Sequence, residues 1–229
     1  VLCASIAGVI ASQSKESAAF STAGLIPGVF SIALVGTILA YNGGLKATWF
    51  GPLAMGGCRL LNVMMAAAVG NALASTDAAT TPNFFGVTAP QAALAAGIGV
   101  YIAGVTWFAR REEGQSPRGG LTWGLTVLLA GIVLLGLAPD FGNLPIGRIS
   151  TSQFRWLLLL IAGVVAARAA RAIAAPEPAK VQITVKVAIL TLIWLDAAIA
   201  LRTGNLYEAM LIAALIAPAL IIGRAVYST

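Results

Sequence analysis

The residues best suited to chemistry include a lysine, an arginine and an asparagine close together in the chain. Lys46 lies in a short polar segment, and Arg59 and Asn62 lie in the apolar segment that follows it. Asn62 is three residues beyond Arg59, so a helix would place both on one face. Arg59 is seven residues past Pro52, which is about 10 Å along a helix. The spacing predicts a pocket for an anion, and phosphate is the best geometric match for a guanidinium.

A second group is a run of charged residues between two other apolar segments. Arg110 and Arg111 are followed by Glu112 and Glu113, the only adjacent carboxylates in the chain. Two neighbouring glutamates supply one or two oxygens to Mg²⁺ while phosphate and water complete its octahedron. A self-neutralising loop at a membrane surface is an equally good interpretation of these four residues.

The composition excludes several other chemistries. The 229 residues include no histidine, which removes histidine-activated nucleophiles, imidazole metal ligands and imidazole proton relays. Two cysteines are too few for a four-thiolate cluster. The net charge of +6 is scattered among the ends of apolar segments, so we expect no binding of nucleic acid.

Membrane-spanning helices are the elements that must position these side chains. The chain is 59% apolar and only 10% charged, whereas a soluble domain needs many more charged residues. Spanning about 30 Å of hydrocarbon takes roughly 20 helical residues. We therefore predict an all-α, polytopic transmembrane bundle with seven or eight spans and close helix contacts at small residues such as Gly51, Gly56 and Gly57. The predicted spans are residues 1 to 13, 24 to 41, 51 to 74, 89 to 109, 120 to 138, 153 to 173, 181 to 201 and 206 to 226.

The distribution of basic residues predicts which ends of these helices face the cytoplasm. One side collects Lys46, Arg110, Arg111, Arg118, Arg171, Lys180 and Arg224, and the other only Lys15, Arg148, Arg155 and Arg202. Cytoplasmic loops are the more basic ones. Residues 42 to 50, 110 to 119 and 174 to 180 are thus predicted to be cytoplasmic, and residues 75 to 88 external.

Two intramembrane charges have alternative interpretations. Arg59 either faces a polar cavity, which Asn62 and Asn71 would continue inward, or extends to the lipid headgroups as an anchor. Asp196 lies in an apolar segment, toward the predicted external end and away from Arg59. An intramembrane carboxylate is a functional candidate, but an interhelical hydrogen bond is the role we favour for Asp196.

The segment from Tyr41 to Asn62 resembles the UbiA superfamily of intramembrane prenyltransferases, and more closely a bacterial UbiA-like branch. It reads Tyr-x4-Lys, followed by Gly-Pro-Leu-x-Met-Gly-x-Cys-Arg-x-Leu-Asn. Residues 104 to 112, 192 to 197 and 223 to 229 add weaker similarity, which extends along the whole chain.

This resemblance implies a helical bundle in which two Asp-rich motifs at the cytoplasmic side hold Mg²⁺ and the diphosphate of an isoprenoid. The first motif would precede residue 1, so we expect residues 1 to 229 to be a single UbiA-like domain without its N-terminal helices. The second motif, Asp-x-x-x-Asp in the family, corresponds here to residues 110 to 116. This departure makes Glu112 and Glu113 the candidate metal ligands in its place.

The expected function is transfer of an isoprenoid from its diphosphate to an aromatic or other lipophilic acceptor in the bacterial inner membrane. Lys46, Arg59 and Arg110 would contact the diphosphate, Asn62 would line the cavity, and Mg²⁺ would bind only together with the diphosphate. The alternative is a non-catalytic carrier or binding protein for a phosphorylated isoprenoid or another lipid.

Overall fold

The computed structural model describes residues 22–74, 85–110, 117–138, 149–203 and 206–227. These residues form eight α-helices and one 3₁₀ turn, at Leu45–Ala47, and contain no β-sheet. The helices are α1 (Thr22–Asn42), α2 (Gly51–Ala74), α3 (Ala89–Ala109), α4 (Arg118–Leu137), α5 (Thr151–Ala174), α6 (Pro178–Thr203), α7 (Leu206–Ala214) and α8 (Ile216–Tyr227).

Six of the helices, α1 to α6, are long and apolar enough to cross a membrane. The predicted all-α class and the predicted association with a lipid bilayer are therefore confirmed. The boundaries of these six helices agree with the predicted spans to within about three residues. The prediction of a span at residues 1 to 13 falls outside the described residues, so a total of seven or eight spans stays a prediction.

The last predicted span, 206 to 226, is interrupted at Leu215, between α7 and α8. Pro218 explains the break, because proline has no N–H to donate to the carbonyl four residues earlier, at Ala214, and its ring clashes with that carbonyl. Leu215 N instead donates to Ile212 O at 3.1 Å, and Ala219 N donates to Leu215 O at 3.2 Å. A further span over residues 206 to 226 therefore stays a prediction.

Helix α3 is the centre of the bundle. It is the most buried of the six long helices and packs against α2, α4 and α6. Tyr101, at its middle, has no exposed surface, and its hydroxyl donates to Ala188 O of α6 at 2.7 Å. This bond satisfies the buried hydroxyl and fixes α6 against α3.

Helices α3 and α4 form the most extensive contact, along a row of glycines. Gly97 and Gly104 of α3 are seven residues apart, as are Gly124 and Gly131 of α4. A Cβ atom at Gly124 would lie 2.7 Å from Phe108 N, and one at Gly97 would lie 2.7 Å from Leu135 Cδ2. The two backbones therefore approach too closely for a larger residue, as small residues permit in membrane helices.

The small residues singled out from the sequence have different environments. Gly56 contacts α3 at Gly99 and Ala103, as predicted, whereas a Cβ atom at Gly57 would meet nothing within 4 Å. The nearest atoms to a Cβ at Gly51 would belong to the adjacent 3₁₀ turn. Close contact with another helix is therefore seen at Gly56, and among the described residues it is not seen at Gly57.

Candidate functional site

One end of the bundle contains a cavity of about 300 Å³, which we call the tryptophan cavity. This is near the lower limit of volumes that hold small ligands in proteins. It lies where α3 ends and α4 begins, beside the segment that leads into α2. Its lining residues are Trp49, Trp107, Phe108, Arg110, Pro117, Gly120 and Leu121.

The walls of the tryptophan cavity are built from contacting indole rings. The ring centroids of Trp49 and Trp107 are 4.8 Å apart at an interplanar angle of 87°. Trp107 also contacts Trp123, with centroids 6.2 Å apart at 80°. Both are edge-to-face arrangements, which aromatic pairs favour. They hold Trp107 between two other rings and leave an aromatic surface facing the cavity.

Arg110 is the only charged residue lining this cavity among the residues described. It is exposed, and its backbone N–H donates to Trp107 O at 3.3 Å as α3 ends. Lys46 is also exposed and belongs to the 3₁₀ turn three residues before Trp49. The Trp49–Trp107 contact thus places these two predicted site residues at one end of the bundle.

Arg59 has a charged partner on another helix. Its Nη2 lies 2.9 Å from Asp196 Oδ2, in an ion pair between α2 and α6. Arg59 is eight residues from the start of α2, and Asp196 is seven residues before the end of α6, so both lie about 10 Å or more from a helix end. The expectation that Asp196 lies away from Arg59 was wrong, and its expected interhelical hydrogen bond is confirmed.

The Arg59–Asp196 pair lies inside the membrane-spanning part of the bundle. About a third of each side chain is exposed, at 33% and 31%, and Arg59 Nε is buried with no hydrogen-bond partner in the described parts of the chain. The carboxylate compensates the guanidinium charge, which is costly to leave unpaired at this depth. Arg59 does not line the tryptophan cavity.

The two asparagines predicted to continue a polar face from Arg59 do not act together. Asn62 is half-buried and does not line the tryptophan cavity. Asn71 lies toward the other end of α2, where its Nδ2 donates to Gly86 O at 2.9 Å and to Gln91 Oε1 at 2.8 Å. Gln91 Nε2 donates back to Asn71 Oδ1 at 3.1 Å. Asn71 therefore anchors the start of α3 rather than extending a pocket.

The predicted metal ligands, Glu112 and Glu113, lie outside the described residues. Within the ranges that the structure describes, no three acidic, cysteine or histidine residues come together as a metal-binding group. Binding of Mg²⁺ therefore rests on the sequence prediction alone.

Trp49 and Trp107 are the site residues that sequence reasoning missed. Each lies three residues from a predicted basic contact, Trp49 after Lys46 and Trp107 before Arg110. That spacing is a usable signal for Trp107 and Arg110, because three residues is close to one turn at the end of α3, but Thr48 is extended between Lys46 and Trp49. Tryptophan is also common at membrane interfaces. Because that general explanation fits any tryptophan near the end of a span, the sequence does not indicate that Trp49 and Trp107 line a cavity.

Comparison with protein-family models, curated proteins and solved structures finds no match to this chain.

Proposed function

We propose that the protein is an intramembrane prenyltransferase of the UbiA type, which transfers an isoprenoid from its diphosphate to an aromatic or other lipophilic acceptor. The observation that supports this most directly is the tryptophan cavity, where Arg110 lies beside two indole rings. A cation for the diphosphate and an aromatic wall for the isoprenoid are the two features that this substrate class requires.

In this proposal Arg110, which lines the tryptophan cavity, binds the diphosphate, and Lys46, on the neighbouring 3₁₀ turn outside that lining, binds it from the rim. A guanidinium binds phosphate oxygens through paired N–H donors, and an ammonium adds a mobile charge. The volume of about 300 Å³ suits the diphosphate and the first part of an isoprenoid chain. The rest of the chain lies along the apolar helices, in the bilayer.

The reaction begins as the bond between the isoprenoid C1 atom and the diphosphate oxygen breaks, and the electron pair leaves with that oxygen. Arg110 stabilises the charge that develops on the diphosphate. Trp49 and Trp107 stabilise the allylic cation, because the face of an indole ring attracts a positive charge. The acceptor then donates an electron pair to C1 and releases a proton to water.

Glu112 and Glu113 would be the residues that hold Mg²⁺, which would supply a further positive charge for the leaving diphosphate. Arg59 and Asn62 are left out of the proposed contacts. Asp196 compensates the charge of Arg59, and neither residue lines the cavity. Their predicted role as substrate contacts stays a sequence prediction.

One observation favours the alternative of a carrier for a phosphorylated lipid. With Arg59 paired to Asp196, the described lining of the cavity has a single cation, Arg110. One guanidinium holds a phosphorylated headgroup well but gives limited stabilisation to a departing diphosphate. A carrier would bind isoprenoid diphosphate without releasing inorganic diphosphate.

Replacing Arg110 by glutamine is expected to weaken the binding of geranyl diphosphate to the detergent-solubilised protein by about 10- to 150-fold. This corresponds to the loss of one charge-assisted hydrogen bond, about 1.5 to 3 kcal/mol. Titration calorimetry measures the dissociation constant. The matched control is Arg171→Gln, which removes an exposed arginine at the same end of the bundle that does not line the cavity.

Equal affinity of Arg110→Gln and the parent protein would contradict the site. Release of inorganic diphosphate from geranyl diphosphate, measured with a membrane lipid extract as the source of acceptor, separates the two functions. Release that is reduced by Arg110→Gln supports the transferase. Binding without release in the parent would support the carrier instead.

The proposed location is the bacterial inner membrane, with the tryptophan cavity facing the cytoplasm. In a background without Cys3 and Cys58, we expect Ser152→Cys to react with a membrane-impermeant maleimide in intact cells. Ala47→Cys, at the cavity end, should react only after permeabilisation. Both positions are exposed, so accessibility reports the side of the membrane. The reverse pattern would place the cavity outside and remove a cytoplasmic isoprenoid diphosphate as its substrate.

A further inference from the structure

Arg202 is a buried cation at the end of the bundle opposite the tryptophan cavity. It lies in the last turn of α6 and is only 8% exposed. Its Nη2 donates to Thr151 Oγ1 at 3.2 Å, whereas Nε and Nη1 are buried and bond to none of the residues that the structure covers. A guanidinium stays charged in proteins and has five N–H donors. Most of the donors of Arg202 therefore have no hydrogen-bond partner among the described residues.

The guanidinium of Arg202 touches the start of a long helix. Thr151 is the first residue of α5, which has 24 residues. The N–H of Gln153 is capped by the side chain of Ser150, as part of a capping box. The N–H groups of Thr151 and Ser152 come before this cap in the first turn, where a helix has no acceptors of its own. A helix N-terminus also has a partial positive charge, so two positive features meet here.

Two of the three carboxylates in the described residues pair with other cations, and the third, Glu208, is exposed in the first turn of α7. Asp196, six residues earlier in α6, pairs with Arg59 at 2.9 Å. Glu177 pairs with Lys180 at 2.9 Å, at the other end of the bundle. The positive charge of Arg202 and of the α5 N-terminus is therefore not neutralised by either of them.

We propose that Arg202 and the N-terminus of α5 form a binding site for a phosphate group. Phosphate oxygens accept hydrogen bonds from a guanidinium and from helix N–H groups at the same time. The site lies at the ends of two membrane-spanning helices, which is the depth of lipid headgroups. A phospholipid headgroup and inorganic phosphate both supply this group. The site is separate from the tryptophan cavity and does not depend on the proposed transferase activity.

The test measures thermal unfolding of the full chain in dodecyl maltoside micelles during titration with phosphatidylglycerol, and separately with inorganic phosphate at constant ionic strength. A ligand that binds only the folded protein raises the melting temperature as its concentration rises. We expect Arg202→Gln to weaken the apparent affinity at least about tenfold. Arg171→Gln, at the other end of the bundle, removes the same charge and should behave like the parent protein.

The two titrations also identify the source of the phosphate. A shift with phosphatidylglycerol alone assigns the site to a lipid headgroup, and an equal shift with inorganic phosphate assigns it to the free ion. The proposal is overturned if neither ligand shifts the parent protein, or if both shift Arg202→Gln as much as the parent. If Arg202→Gln fails to fold, the same titrations are carried out with Arg202→Lys. It keeps the charge but loses the planar fork of donors, so an affinity equal to that of the parent would also overturn the proposal.

Discussion

Replacement of Asp196 by leucine is expected to destabilise the protein by about 2 to 4 kcal/mol. Removing one partner of a buried ion pair costs about 3 to 5 kcal/mol, because the remaining charge has lost its compensation. The lower range applies here because about a third of each side chain is exposed, at 33% for Arg59 and 31% for Asp196. Arg59→Met should have a similar effect, since it leaves Asp196 unpaired.

The double variant Arg59→Met/Asp196→Leu should recover most of the lost stability, because neither charge then remains inside the membrane-spanning segment. Unfolding in mixed micelles of increasing dodecyl sulfate content measures the free energies for the full cycle. The matched control is Glu177→Gln, which breaks the exposed Glu177–Lys180 pair and should cost less than about 0.5 kcal/mol. A double variant as unstable as the single variants would show that the two residues stabilise the fold independently.

The same variants test the sequence prediction that Arg59 binds diphosphate. If Arg59 serves only to pair with Asp196, the double variant should bind geranyl diphosphate as tightly as the parent protein. If Arg59 also contacts the ligand, the double variant should be stable but should bind at least about tenfold more weakly. The two roles are therefore separated by affinity rather than by stability.

Replacement of Gly131 by alanine is expected to have a comparable effect, by forcing α3 and α4 apart. A Cβ atom at Gly131 would lie 2.7 Å from Tyr101 Cα and 2.8 Å from Gly97 O. These are backbone atoms, which cannot rotate away as a side chain can. Overpacking of a close interface typically costs about 1 to 3 kcal/mol, and we expect a value near the upper end. Thermal unfolding in detergent measures it.

Gly163→Ala is the matched control for this substitution. Gly163 is exposed in α5, and a Cβ atom there would meet nothing within 4 Å. Alanine is a better helix former than glycine by about 1 kcal/mol, so this variant should be as stable as the parent or slightly more stable. If Gly131→Ala were equally harmless, the close approach of α3 and α4 would have no energetic importance.

The positions of the long helices could be predicted because the bilayer sets their length. A run of about 20 apolar residues is readable without knowing its neighbours, and α1 to α6 follow the predicted runs. The break at Leu215 could also have been predicted, since Pro218 lies inside the apolar run. It was not predicted because the run is long enough for one continuous membrane helix. Proline is tolerated in some membrane helices, so hydropathy alone does not distinguish a kink from a break.

The pairing of Arg59 with Asp196 could not be predicted in the same way. The two residues are 137 positions apart, and counting residues from helix ends placed them at different depths. Helix tilt and the length of the arginine side chain change those depths, and neither is visible in a sequence. The packing of the glycine row could not be predicted either. The interval between Gly97 and Gly104 identifies a face of α3 that packs closely, but it does not identify the helix that packs there.

The tryptophan cavity is an intermediate case. Lys46 and Arg110 were selected for their charge, and the structure places both at the end of the bundle where the cavity lies. The indoles that connect them, Trp49 and Trp107, were missed because aromatic residues near span ends have a general explanation at the interface. Contact between two such rings, at 4.8 Å, depends on how α3 lies beside the segment that leads into α2.

The Arg59–Asp196 pair has a consequence for biosynthesis. Membrane proteins are made from the N-terminus, so Arg59 enters the bilayer 137 residues before its counter-ion exists. At about 5 to 20 residues per second, the delay is roughly 7 to 27 s. During that interval α2 carries an unpaired cation, which costs about 2.5 to 3.5 kcal/mol on insertion at the centre of a helix. We therefore expect α2 to be held by its contact with α1 until α6 is synthesised and Asp196 can pair with Arg59.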